Sequence, residues 1–142
     1  MKITYEEAYP HRHALDALAT EADRDQMEGP LPSALPSWFY RDTLDCQHHA
    51  VLVDGVPVGN IDFGLDDDGC WETGFFIASA WRRKGIIEKA WRELSTEYGS
   101  CFTAGCWENN TASILLLAKL GFVCVGTSVH GGRPAVRFLL KR

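Results

Sequence analysis

The hydrophobic pattern changes its period in the middle of the chain. From Trp71 to Ile77 bulky residues alternate with positions that include Glu72 and Gly74, which is typical of a β-strand. From Ile86 to Tyr98 apolar residues recur every three or four positions, which predicts a helix with one buried face. The segment between them, residues 81–85, is short and basic. The pattern therefore predicts a strand, a basic turn and a helix in direct succession.

The same periodicities divide the rest of the chain into short elements. The predicted strands are Ile3–Tyr5, His49–Val53, Val56–Phe63, Ser100–Cys106, Phe122–Thr127 and Ala135–Leu140. The predicted helices are His11–Ala22, Trp38–Leu44 and a third between Asn110 and Gly121, and residues 23–36 are predicted to be a proline-rich loop. Asp54-Gly55 is a strong hairpin signal. This order of strands and helices indicates one mixed α/β domain over residues 1–142.

Two of the predicted helices carry dense apolar residues. Residues 38–40, Trp-Phe-Tyr, either contact a substrate or pack in the core, and their helical spacing favours packing. Residues 114–120 are apolar on nearly every face, so we expect that helix to be mostly buried. Asn109 or Asn110 is a suitable N-cap for it, and Gly121 suits the left-handed position after its last turn.

The composition indicates an ordinary globular protein rather than a membrane or secreted one. Of the 142 residues, 46% are hydrophobic and 23% are charged. No apolar run approaches the ~20 residues that span a bilayer, and the first residues lack the apolar segment of a signal peptide. The five cysteines are an odd number without a C-x-x-C pair. They favour free thiols in a reducing cytoplasm over a disulfide framework.

The net charge of −5 is unevenly distributed along the chain. Residues 1–80 contain 15 acids and 4 bases, whereas residues 81–142 contain 4 acids and 10 bases. This asymmetry is either a chance distribution of solvated charge or a basic half that binds an anionic cofactor beside an acidic half that faces a cationic acceptor. A protein dedicated to nucleic acid would be basic overall, so no nucleic-acid partner is expected.

The basic turn is a candidate anion site. A helix begins with backbone N–H groups that lack partners and with the positive end of its macrodipole. Arg82, Arg83 and Lys84 stand just before that point, and Gly85 permits a close approach of the chain. These features predict a site for a phosphorylated ligand. A solvated charged turn that caps the helix would give the same pattern.

Two motifs resemble signatures of the GNAT superfamily of N-acetyltransferases. Arg82-x-x-Gly85, between a strand and a helix, resembles the acyl-CoA pyrophosphate loop, usually Gln/Arg-x-x-Gly-x-Gly/Ala, with Ile87 in place of the last small residue. Residues 110–122, which begin Asn-Thr-Ala-Ser and end Lys-Leu-Gly-Phe, resemble the second signature. They are most similar to the branch that acetylates protein N-termini and ribosomal proteins. The resemblance implies the GNAT fold, a central, splayed mixed β-sheet flanked by helices.

The resemblance also implies a set of residues that bind acetyl-CoA. Free backbone groups of the splayed strand would pair with the pantetheine arm, and these belong to Phe75, Phe76 and Ile77. The loop would wrap the pyrophosphate with Arg82, Arg83, Lys84, Gly85, Ile86 and Ile87. Asn110 would contact the cofactor near the thioester, with Ser113 one helical turn further on.

N-acetyl transfer also needs a group that removes a proton from the acceptor amine. Glu72 corresponds to a glutamate that is common in the family just before the splay. It is either this base or a structural or solvent-facing carboxylate. The reserve candidates are Asp62, His48 and His49. The tyrosine that often protonates the leaving thiolate is replaced by Leu117, and a glutamate that some members use is replaced by Gly105.

The predicted function is transfer of an acetyl group from acetyl-CoA to a primary amine by direct attack in a ternary complex. The acceptor is expected to be a protein α-amino or lysine group or a small cationic amine. The protein is expected to be a cytoplasmic monomer or homodimer with no membrane partner. The alternative is a GNAT-fold protein that binds CoA or a partner and regulates it, with weak or no transfer. No metal is expected, since Cys46-x-His48-His49 lacks further ligands of a zinc site.

Overall fold

A computed structural model describes residues 1–26 and 40–142, which form a seven-stranded sheet with helices on both faces. The strands are β1 (Ile3–Glu7), β2 (Cys46–Val53), β3 (Val56–Leu65), β4 (Trp71–Ile77), β5 (Cys101–Trp107), β6 (Val123–His130) and β7 (Arg133–Lys141). The helices are α1 (Arg12–Leu18), α2 (Glu21–Gln26), α3 (Ile86–Leu94) and α4 (Thr111–Lys119).

The strand order across the sheet is β1-β2-β3-β4-β5-β7-β6. The β4–β5 pair is parallel, and the other neighbouring pairs are antiparallel. The predicted mixed α/β sheet flanked by helices is therefore confirmed, and β4 has the bounds that its alternation predicted. Within the two described ranges, no helix has the length and hydropathy needed to cross a membrane.

Strands β4 and β5 separate soon after they begin. Their parallel pairing is limited to Trp71 opposite Phe102 and Glu72 opposite Thr103. Residues 73–77 of β4 remain paired with β3 but have no register partner on β5. The sheet therefore opens into a wedge between residues 73–77 of β4 and 104–107 of β5, which we term the β4–β5 cleft.

A disulfide joins the two strands at the closed end of this cleft. Cys70 immediately precedes β4, Cys101 begins β5, and the two are bridged with their Cα atoms 4.8 Å apart. The expectation of five free thiols is therefore wrong for this pair. Residues 31 positions apart become neighbours because the two parallel strands start side by side. The other three cysteines, Cys46, Cys106 and Cys124, are not disulfide-bonded.

Helix α3 covers one face of the sheet, which we term the α3 face. Trp91 is buried and packs edge-on against Phe102 of β5, with ring centroids 5.1 Å apart. Its indole Nε1 donates a hydrogen bond of 2.9 Å to Thr73 Oγ1. Because successive side chains of a strand point to opposite faces, Glu72 lies on the other face, where α1 packs. We term that side the α1 face.

The predicted helix His11–Ala22 is in fact two helices. Thr20 and Asp23 form a reciprocal cap at the start of α2: the Thr20 N–H donates to Asp23 Oδ2 at 2.9 Å, and the Asp23 N–H donates to Thr20 Oγ1 at 3.1 Å. This cap starts a new helix, so α2 also extends into residues 23–26, which were predicted to be loop. The spacing Thr20-x-x-Asp23 was the signal for this break.

The predicted helix Trp38–Leu44 is wrong where the structure describes it. Trp38 and Phe39 lie outside the described residues, and residues 40–44 form a turn and an isolated bridge instead. Tyr40 is buried on the α1 face in a cluster with Ala50 and Leu52. For this one member of the aromatic trio, the preferred interpretation as core packing is confirmed.

Helix α4 is less buried than its apolar sequence predicts. Leu117 is 1% exposed, but Leu115 is 64% exposed, because one side of the helix faces the sheet and the other faces outward. The predicted role of Gly121 is confirmed: its φ is 99°, its N–H donates to Ala118 O, and the Phe122 N–H donates to Leu117 O. This pattern is a Schellman motif, which ends the helix.

Candidate active site

Strand β4 presents to the β4–β5 cleft a backbone edge that has no partner strand on β5, although Arg82 Nε donates a hydrogen bond to the Ile77 carbonyl. Phe75, Phe76 and Ile77 are half-buried and pair with β3 on their other side. Gly59 of β3 lets this segment approach closely, since a Cβ on Gly59 would lie only 2.2 Å from the carbonyl oxygen of Phe76. The cleft-facing groups of β4 are therefore placed to pair with an extended ligand arm.

The turn after β4 leads into an uncapped helix start. Gly85 is the N-cap of α3 with a left-handed φ of 74°, and Arg83 also has a positive φ of 63°. Gly85 supplies no side chain to the first N–H groups of α3, and these groups have no acceptors within a helix. The N–H groups of residues 86–88 thus form a row of donors at the positive end of the helix dipole, which favours anions.

Ile87 does not obstruct this row of donors. The family places a small residue there, but the Ile87 side chain is buried in the core with that of Ile86. Its bulk therefore lies on the core side of α3 and leaves the backbone amide unaffected. The departure from the family motif is accommodated by packing.

Arg82 is held by protein groups in this structure. Its Nε donates to Ile77 O at 3.1 Å, and its Nη2 donates to Asp23 Oδ1 at 2.6 Å. Partial burial raises the pKa of Asp23, but the hydrogen bonds from Arg82 and Thr20 outweigh it and hold that pKa below its ordinary value. Asp23 therefore remains ionised and links α2 to the basic turn.

The other two cations of the turn are exposed. Within the part of the chain that the structure describes, Arg83 and Lys84 have no ion-pair partner. A surface depression of about 360 Å³ lies beside them and is lined by Gly85, Glu88, Lys89, Arg92 and Glu93. Arg83 and Lys84 are therefore the side chains most free to meet phosphate.

Asn110 lies at the start of α4, beyond the C-terminal end of β5. Its Oδ1 accepts a hydrogen bond of 3.2 Å from the Ser113 N–H, which confirms it as the N-cap. Nearby, the Arg133 guanidinium lies 4.3 Å over the Trp107 ring and donates to Asn109 Oδ1 at 3.3 Å. Contact of Asn110 or Ser113 with a cofactor remains a prediction.

Glu72 lies on the α1 face at the closed end of the cleft. Its side chain is 53% exposed and sits 3.9 Å from Arg137 Nη1 on β7. It is thus accessible to a ligand and has one weak ion-pair contact. Leu117, at the position of the family's tyrosine, is buried in the core and cannot donate a proton.

A polar cluster surrounds Asp62, one strand away from Glu72. His48 Nδ1 lies 2.8 Å from Asp62 Oδ1, and Asn60 Nδ2 lies 3.3 Å from both carboxylate oxygens. Cys46 Sγ is 3.4 Å from His48 Nε2. Burial lowers the pKa of His48, but the hydrogen bond and charge of Asp62, together with the charge of Asp42, outweigh burial and raise it above 6.5.

His49, another reserve candidate, is separated from this cluster. It alternates with His48 and lies on the α3 face, where its Nε2 is 2.6 Å from the Tyr98 hydroxyl. Burial lowers its pKa despite nearby carboxylates. The reserve candidates therefore divide, with His48 and Asp62 together and His49 on the opposite face. In residues 1–26 and 40–142, no group of three or more His, Cys, Asp or Glu side chains is placed to hold a metal.

An uncapped helix start beside a splayed strand is the arrangement that the two sequence motifs imply. Residues 11–122 match the sequence profile of the Acetyltransferase (GNAT) family. The chain belongs to the GNAT family. This family is one of acetyltransferases. No curated protein matches the chain in sequence.

Solved GNAT structures share the fold at low sequence identity. A Salmonella typhimurium acetyl transferase that modifies the N-terminal serine of a 50S ribosomal subunit protein is 12% identical, with a TM-score of 0.80 over 100% of this chain and 96% of that one. A putative acetyltransferase from the same organism, with its cofactor acetyl-CoA, is 20% identical, with a TM-score of 0.77 over 98% and 93%. An aminoglycoside acetyltransferase in complex with coenzyme A and kanamycin is 17% identical, with a TM-score of 0.76 over 99% and 95%.

Proposed function

We propose that this GNAT protein transfers the acetyl group of acetyl-CoA to a primary amine by direct attack. The observation that supports this most is the uncapped start of α3 next to the unpaired edge of β4. The first feature suits a diphosphate and the second suits an extended amide-containing arm, and coenzyme A carries both at adjacent positions.

The cofactor would lie along the cleft from the basic turn to α4. The N–H groups of residues 86–88 would bind the pyrophosphate, with Arg83 and Lys84 adding charge-assisted hydrogen bonds. Arg82 would also bind the pyrophosphate by replacing its hydrogen bond to Asp23 with one to a phosphate oxygen. The backbone of residues 75–77 would pair with the pantetheine arm, and Asn110 would lie near the thioester.

The chemistry then requires two proton transfers. One proton leaves the acceptor ammonium before the attack, and one is added to the leaving thiolate. Glu72 would take a proton from the acceptor ammonium, whose pKa is about 8 for an α-amine and about 10.4 for a lysine. The neutral amine attacks the thioester carbon, forming the C–N bond, and a backbone N–H of β4 stabilises the oxyanion. The C–S bond breaks, and the second proton of the attacking nitrogen passes through water to the leaving thiolate, since Leu117 offers none.

The acceptor would be a protein N-terminus or a small amine. One structural neighbour modifies the N-terminal serine of a ribosomal protein, and another is an aminoglycoside acetyltransferase. We propose the cytoplasm as the compartment, where acetyl-CoA is available, although a stable disulfide between Cys70 and Cys101 is more typical of oxidising compartments.

A monomer or a homodimer is proposed. The edge strand β6 exposes Val123, Val125 and Val129, which would be the surface for self-association.

The proposal is tested by thiol release from acetyl-CoA across a panel of primary amines and N-terminal peptides. Thiol release is expected to require both acetyl-CoA and an amine, and acetyl-CoA alone is expected to raise the melting temperature. If acetyl-CoA raises the melting temperature but no acceptor yields thiol, the protein is a CoA-binding regulator instead. If acetyl-CoA neither supports thiol release nor raises the melting temperature, the assignment of the cofactor site is wrong.

A further inference from the structure

Two glycines on the α1 face have no structural reason to be glycine. Gly64 of β3 and Gly74 of β4 both lack a positive φ. Among the described residues, a Cβ on Gly64 would meet only Cys46 Sγ, and a Cβ on Gly74 would meet only Asp62 Oδ2, each at an ordinary 3.9 Å. Glycine inside a strand costs stability, and it often marks a place where a ligand approaches the backbone. The two glycines therefore form an open floor, which we term the Gly64–Gly74 floor.

Two carboxylates stand at opposite corners of this floor. Asp62 is paired in register with Gly74, and Glu72 is paired with Gly64, so the two acids are diagonal neighbours across β3 and β4. Such neighbours have Cα atoms ~7–8 Å apart. Glu72 is on the strand that borders the cleft, whereas Asp62 is one strand further from it.

The carboxylate of Asp62 is fixed but not saturated. Its Oδ1 accepts from both His48 and Asn60, while its Oδ2 accepts, among the described residues, only from Asn60 at 3.3 Å. Oδ2 is also the atom that borders the open space over Gly74. The side chain is 24% exposed, so a cation on the floor can reach it. A carboxylate held in this way is preorganised to accept a charge-assisted hydrogen bond.

We propose that the Gly64–Gly74 floor is the acceptor site and that it takes a small diamine. One ammonium group pairs with Asp62 Oδ2, which leaves the other amino group beside Glu72 at the cleft, where it is acetylated. This inference rests on the proposed acetyl transfer. His48 and Asn60 are positioning residues, since they act only through the Asp62 carboxylate.

The charges around the floor favour a cation. Asp42 approaches the cluster from the loop before β2, and its Oδ1 accepts a hydrogen bond from the His48 backbone N–H. Arg137 is the cation nearest Glu72, and Arg24 is paired with Asp16 at 2.9 Å. Asp62 and Asp42 together carry two negative charges against the single imidazole of His48, so the floor keeps a net negative charge. A monoamine would occupy the cleft but leave Asp62 Oδ2, among the described residues, with Asn60 as its only donor.

The test compares diamines with monoamines of the same length by thiol release at saturating acetyl-CoA. The probes are putrescine and cadaverine against butylamine and pentylamine. The wild-type protein is expected to favour the diamines in kcat/KM by roughly tenfold or more, the effect of one hydrogen bond to a charged group. Asp62→Asn is expected to raise KM for the diamines far more than KM for the monoamines and so to abolish the preference, whereas Glu72→Gln is expected to lower kcat for both.

Several outcomes would overturn the inference while leaving the proposed function intact. These are a wild-type protein without preference for diamines, or an Asp62→Asn variant that affects both amine classes equally with unchanged melting temperature. The absence of thiol release from every amine would instead contradict the proposed function.

A second variant keeps the test decisive if Asp62→Asn fails to fold. Gly74→Ala has room for its Cβ and is expected to be at least as stable as the wild type, yet to raise KM for the diamines by filling the floor. Gly126→Ala on β6, where a Cβ also meets nothing, is the matched control and should leave KM unchanged. Equal KM values for the Gly74 and Gly126 variants would remove the floor as the acceptor site.

Discussion

At the scale of single residues, Gly85 combines a left-handed φ of 74° with empty space around its Cβ position. Gly85→Glu is expected to fold, with a backbone cost of about 1–2 kcal/mol, because no atom of residues 1–26 or 40–142 lies within 4 Å of the new Cβ. Its carboxylate would stand at the proposed pyrophosphate site and repel the phosphates. The dissociation constant of CoA, measured by calorimetry, should rise by at least tenfold.

Gly69 offers a matched control for this substitution. It has a φ of 79° and also has nothing within 4 Å of its Cβ position, but it lies in the turn between β3 and β4. Gly69→Glu carries the same strain and the same charge, and it should leave CoA affinity unchanged. Equal losses of affinity in both variants would mean that the effect is general destabilisation rather than a local phosphate site.

His48 should make stability depend on pH. A folded pKa raised above 6.5 means that the Asp62–His48 pair stabilises the protein fully below pH 6.5, and that this contribution is lost as the pH rises through the folded pKa. The variant His48→Asn cannot titrate. The difference in unfolding free energy between wild type and variant, from urea denaturation, should shrink as the pH rises above 6.5. A difference that is constant over the range would contradict the assigned shift.

The residue-level predictions succeeded where a role depends on local sequence. Asn110 as N-cap and Gly121 as the left-handed residue follow from a few neighbouring positions. The joining of His48 and Asp62 could not be predicted in this way. A bulge at Val51/Leu52 shifts the β2–β3 register by one residue, and without it the Asp54-Gly55 hairpin would place these two side chains on opposite faces.

At the scale of elements, the disulfide between Cys70 and Cys101 should stabilise the β4–β5 pair. It closes a loop with a sequence separation of 31, for which chain entropy alone gives about 3–4 kcal/mol. Urea unfolding with and without a phosphine reductant should show this loss, and Cys70→Ser should reproduce it. Cys124→Ser, which removes an exposed free thiol, should remain sensitive to the reductant. Unfolding that is indifferent to reductant would show that the bridge does not form in solution.

The elements were predicted best where apolar residues recur along one face of a strand or helix. Strand β4 and the start of α3 follow directly from their two periodicities. The α1–α2 break was missed because a cap, Thr20 with Asp23, interrupts an apolar period that continues through it. The burial of α4 was overestimated, since sequence hydrophobicity does not reveal which side of a short helix has a sheet beneath it.

At the scale of the whole molecule, the two oppositely charged halves of the chain should make cofactor binding sensitive to salt. Arg83 and Lys84 are exposed, so their attraction for phosphate is screened as ionic strength rises. The dissociation constant of CoA should increase several-fold between about 50 mM and about 500 mM NaCl. Replacing both cations by alanine should flatten this dependence. Pantetheine, which has no phosphate, is the control ligand, and an equal salt effect on it would contradict the assignment.

Covalent closure at one end of the cleft limits how the molecule can deform when it takes up its cosubstrate. With Cys70 tied to Cys101, β4 cannot slide lengthwise past β5. The angle between the two halves of the sheet can still change about this disulfide. The disulfide therefore fixes how β4 and β5 align at the closed end of the cleft, beside Glu72, and any widening that admits acetyl-CoA would take place at the open end.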